Sequence, residues 1–189
     1  MGKPDHAAWQ CPEDAAATTD SDELVMGLHW EPRQGAQGYV ADLDAACIVF
    51  DAQGRTLDVV HPGHLRSADG SVVHTGDSQT GGAAWDNERI FVFLEALSTE
   101  VSALAFVVVN VTSGATGRIA GASCHVSDRR SGRERVRIDL STLGASGACC
   151  VALLCRSRLG WQISPEPQVD EHVLMEIRNT MQVSKRGLS

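Results

Sequence analysis

Two carboxylates separated by a single residue, Asp42 and Asp44, are the first side chains in this sequence whose spacing suggests chemistry. If Asp42-Leu43-Asp44 opens a strand, alternation sets both acids on one face and Leu43 on the other. Two like charges held on one face repel each other unless a cation lies between them; the plainer alternative is that both face water at a strand end. A second group of oxygen donors follows in Thr75-Gly76-Asp77-Ser78-Gln79-Thr80-Gly81-Gly82-Ala83-Ala84-Trp85-Asp86-Asn87-Glu88. Calcium takes about six to eight oxygens, from carboxylates, amides, backbone carbonyls and water, and tolerates irregular geometry. Asp77, Asp86, Asn87 and Glu88, joined by Asp42 or Asp44, are therefore candidate metal ligands, with Gly76, Gly81 and Gly82 allowing the chain to curl round an ion. Magnesium fits less well because it demands tighter octahedral geometry. The ligand spacing of an EF-hand is absent.

Other constellations carry less. His61 and His64 have the spacing H-x-x-H, but Pro62 and Gly63 between them predict a turn in place of a zinc-binding helix. No G-x-S-x-G nucleophile elbow occurs, which leaves a hydrolase reading, with a metal-bound water at the acidic cluster, as a distant third. Arg133, Arg135 and Arg137 alternate as the solvated face of an edge strand would, where charge discourages edge-to-edge pairing. Trp85 stands in a glycine-rich loop, and the preferred reading makes it a packing anchor over the metal loop; the other reading is an exposed aromatic offered to a partner.

The elements that must position these residues are short β-type runs separated by turn signals. Leu24–Trp30 is one. Asp42–Phe50 is another, closed by Asp51-Ala52-Gln53-Gly54 and answered by Arg55–Val60. His61–Asn87 is long, polar and glycine-rich, and a loop of that size in a compact domain is usually functional or disordered. Strand patterns resume at Arg89–Leu94, Ala103–Val111, Ile119–Val126, Arg133–Leu140, Ala148–Arg156 and Trp161–Ile163. The run Phe106-Val107-Val108-Val109 is apolar on both faces, as a central strand would be. Val173, Ile177 and Met181 recur every four residues and predict one C-terminal helix over 169–181. The pattern as a whole predicts a mostly β protein, an antiparallel β-sandwich with a C-terminal helix.

The run from Leu65 through Ser67-Ala68-Asp69-Gly70-Ser71-Val72-Val73-His74-Thr75-Gly76-Asp77 resembles the TerD-domain signature, S-A-D-G-S-V-x-H-T-G-D followed by N-x-T-G-x-G-x-G-D-D-E. Gly27-Leu28-His29-Trp30 is similar to that family's G-L-G-W, and Asp42-Leu43-Asp44-Ala45 matches its D-L-D-A. The three motifs keep the family's order and approximate spacing over residues 24–163. The resemblance implies a bacterial stress protein associated with tellurium resistance: a β-sandwich, resident in the cytoplasm, with calcium bound by the acidic loops. Departures bear on the ion count. Ser78 stands where the family has Asn, and Ala83, Ala84, Trp85 and Asn87 stand where it has glycine or acid. The family pattern implies two calcium ions; the missing carboxylates here imply one good site and a second that is weakened or lost. A His-Asp pair expected after the central strand is replaced around Val111-Thr112-Ser113-Gly114.

Composition agrees. The chain has 189 residues, 43% of them apolar, enough for one domain with a sizeable core. Its formal net charge of -8 disfavours a nucleic-acid partner and suits cations. No apolar run approaches the roughly 20 residues of a membrane-spanning helix, so membrane insertion is not expected. The start, Met1-Gly2-Lys3-Pro4-Asp5, lacks the apolar run of a secretory signal, and the six cysteines are accordingly expected to be cytoplasmic thiols. Residues 1–22 read as a flexible arm, 23–183 as the TerD-like domain and 184–189 as a tail. The functional expectation is a calcium-binding, non-catalytic protein whose partners are other proteins of a stress-response system. The alternative is a metal-independent interaction scaffold with a degenerate calcium loop.

Overall fold

Strands whose residues are apolar on both faces build the centre of the molecule. The computed structural model describes residues 17–31, 42–78, 84–111, 119–143, 147–165, 167 and 169–186. In chain order the strands are β1 (Ala17–Thr19), β2 (Glu23–His29), β3 (Leu43–Phe50), β4 (Thr56–Val60), β5 (Val72–His74) and β6 (Glu88–Phe93). They continue with β7 (Ala103–Asn110), β8 (Ser123–Asp128), β9 (Glu134–Asp139), β10 (Ala148–Ser157) and β11 (Gly160–Pro165), and the helix α1 (Glu171–Arg186) ends the fold. Six strands pair in the order β1-β11-β10-β7-β3-β4, five in the order β5-β6-β2-β8-β9, and neighbouring strands run antiparallel.

β3 and β7 are buried at every residue because each is covered twice. Leu43, Ala45, Cys47, Val49, Leu104, Phe106 and Val108 face the five-stranded sheet and pack with Leu24, Met26, Leu28, Trp30, Ile90, Val92 and Val126. The intervening residues, among them Ile48, Phe50, Ala105, Val107 and Val109, form a second cluster with Ile177 and Met181 of α1. The four-residue period of α1 is thus the stripe it lays on the sheet. Burial of Ile177 and Met181, 5% and 1% exposed, contributes roughly 1.5–3 kcal/mol each.

The expected sandwich with a C-terminal helix is present, with local differences. Ala17–Thr19, assigned above to a flexible arm, add an edge strand by pairing with Trp161–Ile163; residues 1–16 lie outside the described residues. The long loop contains β5, whose Val72, Val73 and His74 pair with Val92, Phe91 and Ile90. β8 begins only at Ser123. The helix starts after Val169 and runs to Arg186, past the expected boundary at 183. A bulge between Val126 and Ser127 interrupts the register with β9, so Arg135 falls out of step with Arg137. The expectation of six thiols does not hold at Cys155, which is disulfide-bonded, while Cys47, Cys124, Cys149 and Cys150 are free.

Candidate metal centre

The acidic residues meet where β3 begins. Leu43 anchors that end by inserting, fully buried, between the sheets. The Asp42 carbonyl accepts a hydrogen bond from the Val111 amide, and alternation turns the carboxylates of Asp42 and Asp44 away from Leu43. Asp77 arrives from the other side. β5 is prolonged by Thr75, whose amide donates to the Arg89 carbonyl and whose hydroxyl accepts from the Arg89 amide at 3.0 Å. Gly76 then adopts φ +113°, a conformation that favours glycine and turns the chain back toward β3. One carboxylate oxygen from each of Asp42, Asp44 and Asp77 lies within 4.8 Å of the others. Asp44 is completely buried, Asp42 half-buried and Asp77 exposed, so the group opens to solvent on one side.

Three carboxylates at that separation repel one another by roughly 3–4 kcal/mol per pair at an effective dielectric constant of about 20. A hard cation reverses the sign of that term. An all-oxygen donor set with one open side and ordinary chain flexibility fits calcium.

The other three expected ligands are each engaged elsewhere. Asp86 turns to the outer face of the five-stranded sheet, where its Oδ2 accepts from Arg89 Nε at 2.9 Å and its Oδ1 from His125 Nε2 at 3.2 Å. The hydrogen bond from His125, opposed by partial burial and reinforced by Arg89, holds the Asp86 carboxyl below the usual carboxylate range. Asn87 joins two strands: its Oδ1 accepts from the Trp30 amide at 2.9 Å, and its own amide donates to the Leu28 carbonyl at 2.7 Å. Glu88 points inward and is completely buried. Its Oε2 accepts from the Ala45 amide at 2.8 Å, its Oε1 from the Ser78 amide at 3.1 Å, and His74 Nε2 stands 3.4 Å from Oε2. Gly81, Gly82 and Ala83 lie outside the described residues.

His74 is the site residue that sequence reasoning passed over. Val72 and His74 share the inner face of β5, and that alternation inside the signature was the available signal. Trp85 departs from its expected role as a packing anchor: its side chain is 76% exposed, while its carbonyl accepts from His29 Nδ1 at 3.0 Å. It forms one wall of an open pocket of about 390 Å³ lined also by His29, Asp86, Ser123, His125 and Arg137. His61 and His64 form a tight turn, each amide donating to the other's carbonyl. Among the described residues no group of three ligating side chains assembles there.

The Ser-Ala-Asp-Gly-Ser segment is structural. Asp69 Oδ1 accepts from Ser67 Oγ at 2.8 Å, from the Ser71 amide at 2.9 Å and from Ser71 Oγ, and its Oδ2 accepts from the Ser98 amide at 3.2 Å. Desolvation works against the ionised form, but the hydrogen bonds from Ser71, Ser67 and Ser98 outweigh it and lower the Asp69 pKa to about 2. The carboxylate thereby fixes the turn leading into β5.

Comparison with known proteins places this architecture. The TerD domain family model matches residues 15–177. Tellurium resistance protein TerZ of Serratia marcescens is 33% identical over 150 residues, covering 75% of this chain and 77% of that protein. General stress protein 16U of Bacillus subtilis (strain 168) is 29% identical over 126 residues, 63% of this chain and 65% of that protein. A solved homologue of a telluride resistance protein from Streptomyces coelicolor A3(2) superposes with a TM-score of 0.68 at 20% identity, covering 79% of this chain and 90% of that one, and so shares the fold.

Proposed function

The chain belongs to the TerD domain family, and from that premise we propose that it is a non-catalytic calcium-binding protein of the tellurium-resistance and stress-response group. The observation that supports this reading is the convergence of Asp42, Asp44 and Asp77, with carboxylate oxygens within 4.8 Å of one another and one of the three acids fully buried. These three residues would hold the ion. Bound calcium would supply charge neutralisation, and its binding free energy would add to the stability of the fold. The chain's own part is to carry two ligands on the rigid start of β3 and the third on the loop after β5. Asp86 is committed to Arg89 and His125, and Glu88 to backbone amides, which supports a single ion over two. The output we propose is recognition of other proteins of the stress response by the surface that the ion orders, in the cytoplasm; no described helix is long and apolar enough to cross a membrane.

Calorimetric titration tests the reading. Calcium is expected to bind with a stoichiometry near one and magnesium far more weakly, because the carboxylate oxygens offered here impose no octahedral geometry. No calcium binding at millimolar concentration would favour the metal-independent scaffold instead.

A further inference from the structure

We infer that Glu88 is a positioning residue of the acidic centre and not one of its ligands: its buried carboxylate ties the amide following Asp44 to the amide following Asp77 and so sets how closely those two acids stand. The inference rests on the calcium reading above. Its evidence is the assignment of both carboxylate oxygens. Oε2 takes the Ala45 amide and Oε1 the Ser78 amide, and these are the residues next in sequence to Asp44 and Asp77. Ala45 lies on β3 two residues before Cys47, the residue that pairs with Val60 at the end of β4. Glu88 therefore serves an edge amide that β4 does not reach. One side chain on β6 thus spans from the five-stranded sheet to the six-stranded sheet and to the loop.

His74 steadies this brace. Its Nδ1 accepts from the Gly76 amide at 2.9 Å, so the ring proton sits on Nε2, the nitrogen that faces Glu88 Oε2 at 3.4 Å. Both side chains are completely buried. With Nδ1 accepting, the imidazole is neutral, so Glu88 faces an imidazole N–H and the two side chains do not form an ion pair. The placement of the Glu88 carboxylate, bonded to the two amides that flank the candidate ligands, accounts for its presence. Glu88 also lies outside the group of acids whose oxygens share a common centre.

The experiment uses the full chain with calcium, and with europium(III) as a luminescent substitute whose lifetimes in H2O and D2O count water molecules on the ion. Glu88→Gln keeps one acceptor but turns an NH2 toward the other amide, so half the brace is lost. Outer-shell changes of this kind weaken metal binding by about 10- to 100-fold. The expected result for Glu88→Gln is that loss of affinity with the number of bound waters unchanged, whereas Asp77→Ala, a ligand loss, adds a water or abolishes binding. His74→Gln leaves Glu88 in place and is expected to weaken binding by a smaller factor, again with the water count unchanged. If Glu88→Gln fails to fold by circular dichroism, His74→Gln decides. An added water in either variant, or wild-type affinity in the variant that decides, overturns the inference while leaving the calcium reading intact. Failure of the wild type to bind either ion removes the calcium reading itself and the inference with it.

Discussion

The imidazole of His125 lies across Gly27 so closely that a Cβ on Gly27 would stand 2.3 Å from its Nε2 and 2.6 Å from the Asp86 carboxylate. Gly27 pairs with Arg89 on one side and His125 on the other, and His125 pairs in turn with Arg137. The glycine of the Gly-Leu-His-Trp motif thus leaves room for the His125–Asp86 hydrogen bond to cross β2, while Leu28 and Trp30 fill the core. Gly27→Ala is expected to destabilise the protein by about 1–3 kcal/mol through overpacking, lowering the thermal midpoint by roughly 3–10 °C for a chain of this size. Adding His125→Ala should restore part of that loss. An unchanged midpoint in the single variant would refute the close approach.

Calcium should raise the thermal midpoint. At a free concentration 100 times the dissociation constant the stabilisation is about 2.7 kcal/mol. Asp44→Asn should act with opposite sign in two conditions. Without calcium it removes a buried charge from a group of three like charges and raises the midpoint; with calcium it shrinks the metal-induced shift. Thermal melts in chelator and in millimolar calcium read both effects. A destabilised variant in chelator would mean that Asp44 acts mainly as a structural hydrogen-bonding residue.

Asp69 predicts an acid-sensitive step in stability. Its pKa falls from an ordinary 3.8 to about 2 in the folded protein, because hydrogen bonds from Ser71, Ser67 and Ser98 outweigh desolvation. A depressed folded-state pKa contributes stability that is fully present well above pH 4 and is lost as pH falls from about 4 through about 2. Asp69→Asn should remove that component, at a cost of about 1 kcal/mol at neutral pH once the residue's exposure is discounted. Denaturant melts of both proteins between pH 2 and 7 should converge toward the acid end. Curves that stay parallel would exclude Asp69 as the source.

Thiol chemistry gives a further check. Burial pushes the Cys47, Cys124 and Cys150 thiols well above their ordinary range, and thiol reagents attack the thiolate. In the native protein at pH 8 these three should remain unlabelled for as long as the fold persists and react at once in denaturant. Peptide mapping after a native pulse reads the positions. Rapid native labelling of Cys47 would contradict its burial between the sheets.

Much of this molecule was legible in the residues alone. Periods of two and four, interrupted by turn residues, located most of the strands and the helical stripe of Val173, Ile177 and Met181, because those periods reflect local geometry and the need to bury one face. The long polar segment after β4, with Asp77 in it, was recognisable as a place for chemistry, and Asp42 and Asp44 were candidates at the start of β3. Which acids converge was settled only by tertiary structure. Asp86 and Glu88 lie two residues apart, yet the first is claimed on the outer face by His125 and the second is drawn inside by Ala45 and Ser78. Carboxylates are indistinguishable by composition. The strand that passes beside each one, brought from far along the chain, decides whether it meets an arginine, a backbone amide or another acid. The same holds for Trp85, whose 76% exposure could not be read from its residue type.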